Sequence, residues 1–107
     1  MITAAVMPFT SIGKSKAAAL SAVDVHSLIA EAEKYSTWVK PASGRFSTLE
    51  DIEGFLLAGT RDDIVRATRA YEQAGADHIV YDLRFRYANW HEQIAFLGEE
   101  VLPALRA

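Results

Sequence analysis

The sequence contains no cysteine among its 107 residues. This absence excludes disulfides, thiolate metal sites, iron–sulfur clusters and cysteine nucleophiles. Its apolar runs stay far below the roughly 20 residues that cross a bilayer. The chain also opens without the charged segment and apolar core of a secretory signal. We therefore expect a cytosolic protein that has no membrane partner.

An excess of positive charge is also lacking. Eleven Lys and Arg side chains are interspersed with 14 Asp and Glu side chains, which gives a net charge of -3. Without a basic stripe, we expect no nucleic-acid partner. Half of the residues are hydrophobic, which is typical of a globular protein rather than a disordered one. By its length the chain is a single domain over residues 1–107.

The signatures of self-contained catalytic sites are missing. There is no Walker loop, dinucleotide glycine fingerprint, nucleophile elbow or paired-carboxylate motif. His26, His78 and His91 are far apart and lack metal-binding spacing, so we predict no metal site. His78 follows Asp77 and is either an acid–base residue or a hydrogen-bonded histidine that lies away from the reaction site. These absences favour reactions in which a bound cofactor carries the chemistry.

The clearest organised stretch reads as strand, helix and strand. Thr60 and Asp63 have the spacing of a capping box, which predicts the start of a helix. Gly75 can adopt the left-handed conformation with which a helix commonly ends. The predicted elements are a strand over 55–58, a helix over 60–75 and a strand over 78–83. Such a βαβ unit has parallel strands, and α/β folds bind ligands beyond the carboxyl ends of such strands.

The remaining segments repeat the alternation of strand and helix. Asp24 can cap the second of two helical pieces, and the pairs Thr48 with Asp51 and Asn89 with Glu92 predict two further capping boxes. We predict a strand over 2–7 that is closed by Pro8, a loop over 9–13, helices over 14–35, an irregular segment over 36–48, a helical turn over 48–54 and a final helix whose apolar stripe is Trp90, Ile94, Leu97, Val101 and Leu105.

Three strands alternating with helices predict an α/β protein with a parallel sheet. A parallel sheet of three strands has two unpaired edges, and parallel sheets are normally larger and covered. We therefore expect that the chain does not complete its own sheet. Either it is the tail of a larger barrel, or it forms a homo-oligomer.

Two long stretches resemble a known family. LLAGTRDDIVRATRAYEQAGADHIVYDLRFR and NWHEQIAFLGEEVLPALR are similar to the C-terminal end of the luciferase-like monooxygenases, the bacterial-luciferase superfamily. VMPFTSIGKSKAAALSAVDV and WVKPASGRFSTLEDIEG resemble the later part of a deazaflavin-dependent subgroup. The resemblance implies a partial TIM-type (βα) barrel of about three βα units. Family members are barrels of roughly 250 residues or more. The resemblance therefore implies that an N-terminal barrel portion is missing from this chain.

The resemblance further implies a flavin- or deazaflavin-dependent oxidoreductase or monooxygenase acting on a small-molecule substrate. FMN or a deazaflavin would be the cofactor of the complete fold. Most flavin-contacting residues of the family come from earlier strands, so no catalytic acid or base is carried over. The chain alone would then be catalytically incomplete. The alternative is a small self-associating α/β binding or structural module without catalysis.

Strand ends over 7–11, 58–60 and 83–87 would face the active-site mouth of such a barrel. Gly59 and Thr60 either hold a phosphate or carboxylate at a helix N-terminus, or Thr60 only caps its helix. Arg84 and Arg86 lie two apart on one face of a predicted strand end, so they either clamp an anion or form salt links such as one to Asp82. The candidate cofactor-binding residues are thus Thr10, Ser11, Gly59, Thr60, Arg84 and Arg86.

Aromatic side chains supply the remaining candidates. The irregular segment contains Trp38, Lys40, Pro41, Arg45 and Phe46. It reads either as a lid over the mouth or as a loop that its aromatics pin to the body. Tyr81 and Tyr87 either donate a proton or stack on a ligand, and Tyr81 also suits core packing.

Overall fold

A computed structural model describes residues 3–34 and 39–106. Four short strands alternate with helices, and the last helical stretch, residues 90–106, includes a π-helical stretch and is called the C-terminal helix below. The elements are β1 Ala5–Val6, β2 Phe9–Ile12, α1 Lys16–Ser21, α2 Val25–Lys34, α3 Leu49–Ile52, β3 Leu56–Gly59, α4 Arg61–Gln73, β4 His78–Ile79, a 3-10 segment Arg84–Asn89, α5 Trp90–Phe96, the π-helical stretch Leu97–Val101 and α6 Leu102–Arg106.

All strand pairs are parallel and form two ladders of two strands each. β1 and β2 follow each other across Pro8 and together make the central strand, so that β3 and β4 are the two outer strands. β1 pairs with β4, whereas β2 pairs with β3. A bridge between Phe9 and Asp82 continues the β4 side past Pro8. In a TIM barrel each strand neighbours the next one along the chain. Among the described residues no ladder joins β3 to β4, so the α/β prediction with parallel strands is confirmed but a partial barrel is not seen.

Helices cover both faces of the sheet. Successive side chains of a strand point to opposite faces, so each strand contributes residues to two separate cores. Leu57 and Ile12 pack with α4 and the C-terminal helix in one core. Leu56 and Phe9 pack with α2 and α3 in a second core. A barrel wall has helices on its outer face only. Two helical layers instead resemble the arrangement of a doubly wound sheet.

The predicted helix boundaries that depend on local capping are confirmed. The Asp24 carboxylate accepts a hydrogen bond from the Ser27 amide at 3.0 Å, which divides α1 from α2. Capping boxes form at the start of α3 and of α4. Gly75 has a φ of 107°, the left-handed conformation expected after α4. These signals lie within a few residues of one another, so they act without tertiary help.

The predicted loop over 9–13 is wrong. Phe9 to Ile12 pair in register with Leu56 to Gly59, so pairing overrides the turn-forming composition of this stretch. Pro8 separates β1, which ends at Val6, from β2, which begins at Phe9, so a strand does end before the proline as predicted. Its carbonyl still accepts from the Asp82 amide at 3.0 Å. A proline removes only the one donor that its own nitrogen would supply.

Three expectations near the C-terminus also need correction. Regular pairing of the predicted strand over 78–83 covers only β4, and Leu83 at φ -100° and ψ 18° has left the extended conformation. The third capping box does not form, because the Asn89 side chain makes no cap hydrogen bond. In the predicted apolar stripe, Leu97 and Val101 are buried, whereas Trp90 and Ile94 are exposed. Trp38 and the side chain of Tyr87 lie outside the described part of the chain.

Candidate functional site

A cluster of polar side chains closes the carboxyl end of the central strand. Nη1 of Arg86 donates to Oγ of Ser11 and to the carbonyl of Ile12, each at 2.9 Å. Nε of Arg86 donates to Oδ1 of Asn89 at 3.1 Å. Gln93, which is 5% exposed, forms two hydrogen bonds with the main chain of Ile12. We call these residues the polar cluster: Ser11, Ile12, Arg86, Asn89 and Gln93.

The hydroxyl groups of Thr10 and Ser11 are engaged inside the protein. Thr10 Oγ1 donates to the carbonyl of Pro8 at 3.0 Å, and Ser11 Oγ donates to the carbonyl of Ala19 at 2.8 Å. Both residues are buried. They therefore position the end of the strand, and their role as cofactor ligands stays a prediction that would require these bonds to open.

The predicted anion site at Gly59 and Thr60 is next to an anion supplied by the protein. Oδ2 of Asp63 accepts from the Thr60 amide at 2.9 Å. That main-chain hydrogen bond holds the pKa of Asp63 below its ordinary value. The capping interpretation of Thr60 is confirmed. A cofactor phosphate would have to displace the Asp63 carboxylate from this position.

The expectation that Arg84 and Arg86 share a face is not met. Both lie after Leu83, where the backbone has left the strand, and Arg86 has a φ of -118° and a ψ of 33°, so the alternation that makes residues two apart in a strand point the same way does not apply. Arg84 Nη2 lies 2.9 Å from Asp82 Oδ2, which is the salt link considered from the sequence. Arg86 instead bonds to the polar cluster. The two side chains therefore have separate partners.

An apolar groove lies where the sheet steps from β3 to β4. Because β3 pairs with β2 and β4 pairs with β1, the two outer strands cover different halves of the central one. The groove has a volume of about 450 Å³. Phe9 stands edge-on to Phe85 at 5.2 Å between ring centroids and to Phe55 at 6.4 Å. We call it the aromatic groove, and its principal lining residues are Phe9, Leu28, Phe55, Phe85, Asp82 and Arg84.

The polar end of the aromatic groove is formed by Arg84 and Asp82. The Arg84 guanidinium lies 5.1 Å from the centroid of the Phe9 ring, within the range of a cation–π contact. Nε of Arg84 also donates to Asp82 Oδ2 at 3.0 Å. An apolar cleft with a few convergent polar groups is the usual form of a small-molecule site. This groove is therefore the best candidate site of the described chain.

A second groove of about 400 Å³ adjoins the first beside residues 80–84, which follow β4. It shares Met7, Asp82 and Arg84 with the aromatic groove. Its lining includes four large hydrophobic side chains that are between 41% and 59% exposed. We call it the edge groove, and these four side chains are Met7, Val80, Trp90 and Ile94.

The other aromatic candidates have structural surroundings. Phe46 is buried in the core beside α2, and its amide donates to Oε2 of Glu33 at 2.7 Å. This hydrogen bond is the main reason why the pKa of Glu33 is lowered. Lys40 Nζ lies 4.9 Å from the Phe46 ring centroid. The loop is thus pinned to the body at Phe46, as one of the two interpretations expected.

Tyr81 and the histidines also have identifiable surroundings. The hydroxyl of Tyr81 lies 2.7 Å from that of Thr68, and its ring packs against the first core. His91 is exposed and stacks on the Trp90 ring at 3.8 Å between centroids. His78 is exposed at the start of β4. Within residues 3–34 and 39–106, no three His, Asp or Glu side chains are grouped so that they could hold a metal ion.

Several residues that line or support these sites were not among the candidates from the sequence. Leu28 and Phe55 line the aromatic groove, and Asn89 and Gln93 belong to the polar cluster. Gln93 lies 81 positions from Ile12 along the chain, so no local pattern joins them. A glutamine on a helix is commonly exposed. Only the packing of the C-terminal helix onto the sheet reveals its role.

No family model, no curated protein and no solved structure matches this chain. None of the helices in the described ranges has the length and apolar character that spanning a membrane requires. The function is therefore inferred from the geometry of the grooves and from the resemblance of the sequence.

Proposed function

We propose that this chain is the C-terminal, cofactor-binding part of a flavin- or deazaflavin-dependent oxidoreductase of the luciferase-like kind. The aromatic groove is the observation that carries the proposal. It would hold the planar ring system of FMN or a deazaflavin, while an N-terminal barrel portion or another copy supplies the rest of the pocket. The bound cofactor would supply the redox chemistry for a small-molecule substrate.

The groove suits a planar ring that has one polar edge. Its walls are aromatic rings, which contact flat apolar surfaces favourably. At one end the Arg84 guanidinium offers donors and the Asp82 carboxylate offers acceptors. A flavin ring carries both donors and acceptors along its pyrimidine edge. These residues would bind and orient the ring, and exclude water from one of its faces.

The phosphate of FMN is a poorer fit to the described residues. The helix N-terminus at Thr60 already accommodates the Asp63 carboxylate. We therefore expect the groove to recognise the ring rather than the phosphate. It follows that riboflavin and FMN bind alike, within about threefold in Kd.

The experiment is a fluorescence titration of riboflavin, FMN and a deazaflavin with the purified chain. We expect saturable quenching with a Kd below about 1 mM, and no turnover by the chain alone. Phe85→Ala should weaken binding at least about fivefold because it removes one groove wall. Phe96→Ala is the matched control, since Phe96 packs in the other core. Quenching that never saturates, or that Phe85→Ala leaves unchanged, contradicts the assignment of the site.

The second candidate function is a self-associating binding or structural module without catalysis. The specific observation in its favour is the edge groove, where four large hydrophobic side chains remain exposed. Patches of this kind mark association surfaces more often than scattered apolar residues do. Light scattering without cofactor tests it, because a closed oligomer of defined mass supports association and a monodisperse monomer contradicts it.

A further inference from the structure

The outer side of residues 78–82, which comprise β4 and the three residues after it and are called the edge segment below, has unpaired main-chain groups. The amides of His78, Val80 and Asp82 all donate to the central strand. In a parallel ladder, alternate residues bond to opposite neighbours. Ile79 and Tyr81 therefore direct their amides and carbonyls outward, and among the described residues no main-chain hydrogen bond reaches these groups. An edge of this kind is a template for a further strand.

Hydrophobic side chains flank this edge on both faces of the sheet. Met7 and Val80 occupy one face, since the register places Ala5 opposite His78 and Val6 opposite Ile79. Trp90 and Ile94 of α5 also line the edge groove. Val39, in the segment after α2, is the only other large hydrophobic side chain of the described chain that is comparably exposed. The apolar exposure is therefore concentrated at one strand edge.

We infer that the edge segment pairs antiparallel with the edge segment of a second copy, about a two-fold axis that passes beside Val80. A closed dimer needs a self-complementary contact, and a two-fold axis through an edge strand makes the paired strands antiparallel. In this register Ile79 and the partner's Tyr81 exchange two main-chain hydrogen bonds. The symmetric pair repeats them, which gives four in total.

Cross-strand pairing favours this register over the one that has Tyr81 on the axis. With the axis at Val80, the imidazole of His78 lies opposite the carboxylate of the partner's Asp82, and the two valines face each other. A shift that places Tyr81 on the axis would set His78 opposite the partner's Arg84 and Val80 opposite its Asp82. It would also need Leu83 to be extended, which its dihedral angles exclude. A polar pair that can hydrogen-bond and an apolar pair stabilise cross-strand positions, whereas a valine opposite a carboxylate does not.

The dimer would continue the sheet from three strands to six and cover the apolar edge. Stable interfaces bury about 800 Å² per partner. Two strand edges alone are too small for that, so α5 must contribute Trp90 and Ile94 to the contact with its counterpart. This inference does not depend on cofactor binding, and its test contains no cofactor, so it can fail or succeed separately from the proposed function.

The first test measures mass by light scattering and sedimentation at about 100 μM. We expect twice the chain mass of 11.8 kDa. Val80→Asp should raise the dimer Kd at least about tenfold, because it opposes two carboxylates across the axis. Val39→Asp is the control, since Val39 is 92% exposed and does not line the edge groove. A monomer at this concentration, or oligomers that both variants leave unchanged, would overturn the inference.

The second test uses the natural absence of cysteine. Val80→Cys puts one thiol on each side of the axis, in a non-hydrogen-bonded pair with Cα atoms about 4.5 Å apart. That separation permits a disulfide. Under mild oxidation we expect Val80→Cys to form covalent dimers at least about tenfold faster than Val39→Cys. Equal rates for the two variants would refute a contact centred on the edge segment.

Discussion

The side-chain amide of Gln93 forms two hydrogen bonds with the main chain of Ile12. Its Oε1 accepts from the Ile12 amide at 2.9 Å, and its Nε2 donates to the Ile12 carbonyl at 3.1 Å. A primary amide carries a donor and an acceptor side by side, as a peptide group does. The C-terminal helix thereby supplies to the last residue of β2 what a neighbouring strand would otherwise provide.

Replacement of Gln93 by Leu should destabilise the fold by about 1–3 kcal/mol, because it leaves a buried main-chain amide without its partner. For a domain of this size, a loss of 1 kcal/mol lowers Tm by roughly 4–8 °C. Gln73→Leu, at the exposed end of α4, is the matched control and should change stability by less than about 0.5 kcal/mol. Urea unfolding of both variants provides the comparison. Equal stability of the two would show that the Ile12 amide finds another partner.

Local signals in the sequence were sufficient to predict α4. Thr60, Asp63 and Gly75 determine its two ends through contacts within the same short stretch. β2 could not be predicted in the same way. Its Thr and Ser residues suit a turn, and only pairing with β3, more than 40 residues later, makes the stretch a strand. The sheet order was likewise inaccessible, because it is a property of pairing between distant segments.

The candidate site likewise combines residues that the sequence predicted with contacts that only the fold reveals. Ser11 and Arg86 were both predicted as site residues, but nothing in the sequence indicated that they bond to each other. The paired clamp of Arg84 and Arg86 assumed a strand that continues to residue 86. The backbone turns at Leu83, so the two side chains separate. Phe85 lies within the predicted strand end over 83–87, but its place in the aromatic groove depends on that turn.

Gly59 and Gly98 should respond to alanine in opposite directions. Gly59 has a φ of 154°, and a Cβ atom there would lie 2.3 Å from Oδ2 of Asp63. Gly59→Ala should therefore cost about 1–3 kcal/mol. Gly98 lies in the C-terminal helix with nothing within 4 Å of an added Cβ, so Gly98→Ala should stabilise by about 0.5–1 kcal/mol. Thermal melts of the two variants test this, and a shift of the same sign in both would contradict it.

The stability contributed by Asp63 should depend on pH. The hydrogen bond from the Thr60 amide, and then Arg66, lower the pKa of Asp63 in the folded protein. A lowered pKa gives stability that is present above the pKa of the unfolded chain and is lost as pH falls through the folded value. Asp63→Asn should thus cost about 0.5–1 kcal/mol at neutral pH, and the difference from wild type should shrink toward about pH 3.

The control for Asp63 is Asp62→Asn in the same helical turn. It removes the same charge near the helix N-terminus but leaves the capping box intact, because the Asp62 carboxylate pairs with Arg61. Urea unfolding of both variants across the acid range makes the comparison. A difference from wild type that stays constant with pH for Asp63→Asn would show that its carboxylate is not selectively stabilised in the fold.

Arg86 and Arg84 should differ in their tolerance of lysine. The Arg86 guanidinium bonds to Ser11, Ile12 and Asn89 in one planar arrangement. A lysine ammonium is a single point of charge on a flexible stem and cannot reproduce that fork. Arg86→Lys should therefore cost about 1–2 kcal/mol. Arg84→Lys should cost less than about 0.5 kcal/mol, since its side chain is 56% exposed and its main partner is Asp82. Urea unfolding of the two variants measures both changes, and equal losses would mean that Arg86 does not brace the end of the central strand.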